Sequence, residues 1–78
     1  MILKVLTPEG VALETAADSV ILPALDGALG VMSGHAPMIA GLRAGTLWYR
    51  AGTAEQTFPL AGGTAEIRND VITVLAGE

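Results

Sequence analysis

The side chains able to carry chemistry are few, and their spacing does not bring them together. His35 is the sole histidine and cysteine is absent, so without a nearby carboxylate pair a first-row metal site cannot be completed from this chain. The ordinary role for His35 is a loop or interface histidine bonded to backbone. Ser33 beside Gly34 resembles part of a nucleophile elbow, yet in Gly30-Val31-Met32-Ser33-Gly34 the first glycine stands one position too early for that turn. The glycines likewise fail as a phosphate cradle, because no Lys-Ser or Lys-Thr follows them and no strand-to-helix switch is expected. Asp18 and Asp26 read as turn residues. Lys4, the only lysine, lies inside the first strand signal rather than at a hairpin tip, which excludes a modified-lysine swinging arm. The expectation is no catalytic set, no metal and no cofactor.

The elements that would have to position such groups read as strands. Turn-forming residues recur at Thr7-Pro8-Glu9-Gly10, Asp26-Gly27, Gly34 to Pro37, Ala44-Gly45, Ala51-Gly52-Thr53, Gly62-Gly63 and Asn69-Asp70, mostly about 8 to 10 residues apart. Between them, Thr64, Glu66 and Arg68 alternate with Ala65 and Ile67, giving one wet and one dry face. Val71 to Leu75 is a β-branched run suited to a buried strand. Leu47 and Tyr49 share one face of Thr46 to Arg50, and Trp48 takes the other. Val11 to Leu22 runs a dozen residues without Gly or Pro; helix propensity is adequate there, but Val20-Ile21-Leu22 favours two short strands flanking Thr15 to Asp18. The rhythm is all-β, with one domain spanning 1–78.

Seventy-eight residues allow one thin core, since 13 of the apolar residues are Ala and the remainder must offset an ordering cost of roughly 1.5 kcal/mol per residue. A partner that completes the fold's surface is therefore expected. Four basic against eight acidic residues, net −4, give no field for phosphates, and with one Trp, one Tyr and one Phe there is no stacking groove, so nucleic acid is not an expected partner. The start Met1-Ile2-Leu3-Lys4 has no signal-peptide pattern and no apolar window is long enough to span a bilayer, so direct membrane insertion is not expected. The most unusual stretch is 27–42, sixteen residues without a formal charge. Two readings stay open for it: buried strands with tight corners, and an apolar surface facing a partner.

As a string, Gly27-Ala28-Leu29-Gly30-Val31-Met32-Ser33-Gly34-His35-Ala36-Pro37-Met38-Ile39 resembles the signature of the epsilon subunit of F-type ATP synthases, roughly Gly-x-aliphatic-Gly-aliphatic-x-Pro-Gly-His-Ala-Pro. Leu42-Arg43-Ala44-Gly45-Thr46-Leu47 is similar to that family's Leu-Lys-Pro-Gly-x-aliphatic turn. Leu60 to Ile67 and Val71 to Ala76 resemble its Gly-Gly strand and its final Thr-Val-Leu-Ala strand, and Val5-Leu6-Thr7-Pro8-Glu9 fits its start. The resemblance runs through nearly the whole chain, with several motifs in one order.

The resemblance implies a flattened β-sandwich of about ten short, mostly antiparallel strands. It implies a non-catalytic rotor subunit of the central stalk, a peripheral part of the complex at the cytoplasmic face of the inner membrane or the equivalent organelle face. There it would link the gamma subunit to the membrane c-ring and couple ion translocation to ATP synthesis. By position in the motif, the turn Asp26-Gly27-Ala28-Leu29 would face the c-ring, and His35, Ala36, Pro37, Met38 and Arg43 would face gamma. Ala28 stands where an acidic residue is frequent, and Ser33 and Ala44 stand where prolines are usual. Many family members continue into a C-terminal helical hairpin, which is not expected within a sequence ending Ala76-Gly77-Glu78. The alternative is a stand-alone small β-sandwich binding module that uses the apolar 27–42 surface.

Overall fold

Alternation and turn chemistry together produce nine strands among residues 1–77, the residues described by the computed structural model. They are β1 (Ile2–Thr7), β2 (Gly10–Ala16), β3 (Ser19–Ala24), β4 (Gly27–Met32), β5 (Met38–Leu42), β6 (Gly45–Ala51), β7 (Ala54–Leu60), β8 (Gly63–Arg68) and β9 (Val71–Ala76). The count is one short of the expected ten or so. Val11 to Leu22 forms the end of β2 and the start of β3 rather than a helix. Its break falls at Ala17-Asp18, where the Ala17 N–H donates to the Met1 carbonyl and the Asp18 N–H to the Arg50 carbonyl.

Hydrogen-bonded neighbours run β2-β1-β9-β8-β5-β3-β6-β7, with β4 on the remaining edge of β3. All pairs are antiparallel except β1 with β9, which run in parallel from Ile2↔Val71 to Leu6↔Leu75. The β5–β3 link is a single register pair, Ala24↔Leu42. That thin corner lets one continuous ladder curl into two facing layers, β2-β1-β9-β8-β5 and β4-β3-β6-β7, a curled form of β-sandwich.

The dry faces meet inside. Leu3, Val5, Ala65, Ile67, Ile72 and Val74 come from one layer, and Val20, Leu22, Val31, Leu47 and Leu60 from the other, all buried. Along β8 and β9 every second residue faces inward, as the two-residue side-chain period requires, whereas β3 buries Leu22 and Pro23 in succession. No buried side chain is polar or charged among the described residues, so apolar burial and backbone pairing hold the two layers together. Val71 to Leu75 is covered on one side only: Ile72 and Val74 are buried, whereas Leu75 is exposed.

Four of the hairpins anticipated from turn residues have two-residue loops. Pro8-Glu9 closes Thr7↔Gly10, Leu25-Asp26 closes Ala24↔Gly27, Gly52-Thr53 closes Ala51↔Ala54 and Asn69-Asp70 closes Arg68↔Val71. Asn69 and Asp70 both take positive φ, 52° and 59°, the geometry of a type I′ turn that matches strand twist and favours Asn and Asp among non-glycine residues.

Candidate functional site

The uncharged stretch 27–42 becomes β4, a crossover loop from Ser33 to Pro37, and β5. Within it the residues assigned above to a c-ring turn do not form one turn. Asp26 is at the exposed hairpin tip, Gly27 opens β4 with φ +130°, and Ala28 and Leu29 are already in the ladder opposite Pro23 and Leu22. Leu29 is directed inward, partly buried against the core. The four-residue turn is 24–27, two positions earlier than Asp26–Leu29, with Leu25-Asp26 as its loop and Gly27 at its last position taking the positive φ.

The gamma-facing set also divides. The Arg43 N–H donates to the Pro23 carbonyl at 2.9 Å, and its Nε donates to the Ala24 carbonyl at 3.3 Å. Arg43 is therefore beside the Leu25-Asp26 tip, not with His35. His35 to Pro37 precede the opposite end of β5, a strand of five residues that spans about 13 Å end to end. Met38 pairs with buried Ile67, and Ala40 with buried Ala65, so Met38, Ala40 and Leu42 share the inner side of β5. Ile39 and Gly41 occupy the outer side.

Two residues outside the assigned sets are the most exposed large apolar groups here: Leu25 at 68% and Ile39 at 71%. The two are related through Gly41. A β-carbon there would approach Leu25 Cδ1 to 2.6 Å, so the missing side chain leaves a seat for Leu25 across the sheet corner. A groove of about 340 Å³ results, lined by Leu25, Ala28, Leu29, Met38, Ile39 and Gly41. Its open mouth is apolar and lies between the hairpin tip and β5. The signal in the sequence was the Leu-Asp-Gly order, in which the residue before Asp-Gly must also stand at the tip.

The groups first considered for catalysis bond elsewhere. His35 Nδ1 lies 2.7 Å from the Ala36 carbonyl oxygen, and its backbone N–H donates to the Met32 carbonyl at 3.1 Å. No cluster of three His, Cys, Asp or Glu that could hold a metal occurs among the described residues. The Ser33 hydroxyl donates to Asp70 Oδ2 at 3.2 Å, and the Gly34 N–H donates to Asp70 Oδ1 at 2.8 Å. Asp18 stands at the break between β2 and β3, and its carboxylate accepts the N–H of Gly52, 34 positions away at the β6–β7 hairpin, at 2.6 Å, a tertiary link beyond the turn role expected of it.

The Gly34 N–H holds the Asp70 carboxyl below the usual aspartate range; the Ser33 hydroxyl and the N-terminal ammonium act in the same direction, and desolvation opposes them. A carboxylate depressed in the folded state stabilises the fold above the unfolded pKa, and that contribution disappears as pH falls through the folded value. The expected result is that the Asp70 carboxyl carbon, followed by NMR, titrates with a midpoint below about 3.9, and that the Gly34 amide signal moves with it. A midpoint at or above that value would contradict the charge-assisted bond.

The arrangement is thus a β-sandwich with an apolar mouth and no converging catalytic groups among the described residues. A family model described as the ATP synthase, Delta/Epsilon chain, beta-sandwich domain matches residues 1–78. The chain belongs to that family. It is 42% identical over 77 residues to the ATP synthase epsilon chain of Symbiobacterium thermophilum, covering 97% of this chain and 55% of that relative. The chain thus spans about half the length of that curated relative. The delta/epsilon fold recurs in the Euglena gracilis mitochondrial ATP synthase OSCP/F1/c-ring assembly, with a TM-score of 0.90 at 21% identity, covering all of this chain and 51% of that one. A chain of the Tetrahymena thermophila mitochondrial ATP synthase central stalk and c-ring aligns with a TM-score of 0.82 at 16% identity, covering all of this chain and 63% of its counterpart.

Proposed function

We propose that this delta/epsilon β-sandwich is a non-catalytic part of an ATP synthase central stalk, bridging gamma and the c-ring so that ion translocation is coupled to ATP synthesis. The observation that carries the reading is the family match along residues 1–78; the apolar mouth between Leu25 and Ile39 supports it as a surface for a protein neighbour. In this reading the contacts divide by where their residues lie along β5. The Leu25-Asp26 tip, Gly27, Ala28 and Arg43 form one end, offered to the c-ring, and the loop His35-Ala36-Pro37 forms the other, offered to gamma. Ile39 lies between them. Torque then passes through a body whose two layers share one apolar core, which suits a spacer that transmits force without deforming. The working location is peripheral, at the cytoplasmic face of the inner membrane or the equivalent organelle face.

Reconstitution tests this. An ATP synthase stripped of its epsilon chain is mixed with this chain, and proton pumping and ATP hydrolysis are measured together. Stoichiometric association with restored pumping is the expected result, with no ATP hydrolysis by the isolated chain. A chain that stays unbound while the stripped enzyme rebinds its own epsilon chain would favour the stand-alone binding module.

A further inference from the structure

The crossover loop from Ser33 to Pro37 is the only connection between β4 of one layer and β5 of the other. It has no strand pairing of its own; the His35 N–H bonds back to the Met32 carbonyl, and its turn at Gly34 uses φ +83°, a region that glycine enters freely. One side chain reaches it from elsewhere. Asp70, at the β8–β9 hairpin, receives both the Gly34 N–H and the Ser33 hydroxyl, one on each carboxylate oxygen. The carbonyl of Asp70 meanwhile accepts the Ile2 N–H at 2.9 Å, which fastens the same residue to the start of β1.

We infer that Asp70 is a positioning residue, which fixes the Ser33–Pro37 loop in one shape and so presents His35, Ala36 and Pro37 to a protein partner already ordered. Three observations converge on it. The bonds join residues 36 and 37 positions apart, so they are tertiary links rather than local turn chemistry. They come from the five-stranded layer to a loop that leaves the four-stranded one, and thus fix the crossover against the layer it is about to enter. Residue 70 has φ 59°, a conformation that glycine adopts more readily, and aspartate there adds the carboxylate the loop uses. A loop ordered before association avoids the entropy loss of ordering it on contact.

The statement about the partner rests on the stalk reading, whereas the statement about the loop does not, and the experiment separates them. Asp70→Gly keeps the turn and removes both acceptors. Asp70→Asn keeps one oxygen for the Gly34 N–H and suits a positive φ. Amide hydrogen exchange is followed by NMR in the whole 78-residue chain. In Asp70→Gly, protection at Gly34 and His35 is expected to fall at least about tenfold while Ile72 and Val74 stay unchanged, and Asp70→Asn is expected to hold Gly34 within about threefold of the parent. Unchanged protection at Gly34 in Asp70→Gly overturns the inference, as does an equal loss across β8 and β9, which would make Asp70 a general stabiliser. The second arm titrates each variant into epsilon-stripped ATP synthase, where Asp70→Gly is expected to bind about tenfold more weakly. A loosened loop with unaltered affinity would remove the loop from the docking surface and overturn the presentation step, while leaving Asp70 as its anchor.

Discussion

Gly63→Ala is expected to destabilise the domain by about 3 kcal/mol or more, combining backbone strain with overpacking. Gly63 opens β8 opposite Ala76 with φ +136°, a region that side-chain-bearing residues rarely enter. A β-carbon there would also collide with the Leu75 carbonyl, which belongs to the neighbouring strand and cannot step aside without breaking the β8–β9 ladder. A chain of this size has about 4 to 12 kcal/mol of total stability, so one methyl group removes a large share of it. Gly30→Ala is the matched control: nothing lies within 4 Å of its position and its φ is not in the strained range. Urea unfolding should give a much lower midpoint for Gly63→Ala and a nearly unchanged one for Gly30→Ala. Equal midpoints for the two variants would show that β8 can start in another conformation.

Ile39→Lys is expected to weaken association with epsilon-stripped ATP synthase by about thirtyfold, or about 2 kcal/mol, because an ammonium would be desolvated in an apolar contact. The choice follows from register. Ile39 is opposite Glu66 on the outer side of β5, so lysine gains a cross-strand partner in the free chain and the fold is preserved. Met38→Asp would instead place a carboxylate on the inner side opposite buried Ile67 and damage the core. Glu55→Gln serves as the control, because Glu55 accepts the Trp48 indole N–H at 3.0 Å on the β6–β7 hairpin and glutamine keeps an oxygen for it. Binding curves for the two variants that coincide would put the partner on a different face.

Much of the fold was legible because its signals are local. Asn69-Asp70 and Asp26-Gly27 mark hairpins by backbone preference alone, and Ala65 and Ile67 reveal the inner face of β8 by alternation. The epsilon-type motif order carried the family, which no single catalytic residue could have done. The contact residues were less legible because they depend on pairings between distant segments. Arg43 follows Met38 closely in the chain, yet β5 carries it to the opposite end, and its bonds to Pro23 and Ala24 place it with the hairpin tip. Leu75 sits in a β-branched run that reads as wholly buried, but composition does not say that one side of β9 is left uncovered. Asp70 looked like a turn residue and is one; that its carboxylate crosses to Gly34 follows only once the layers face each other. Glu78, the last residue of the domain as read from sequence, lies outside the described residues.

The parallel pairing of β1 with β9 also sets a timetable. Within this domain Leu3 and Val5 are made well before their parallel neighbours Ile72 and Val74. Until then the nascent chain has one side of β1 unpaired and an inner sheet surface open to other apolar segments. Joining β1 to β9, the most distant strand pair of this domain, is therefore the step that completes the core, which makes folding slow compared with hairpin formation. The interval before β9 appears is when a nascent chain most needs protection from aggregation.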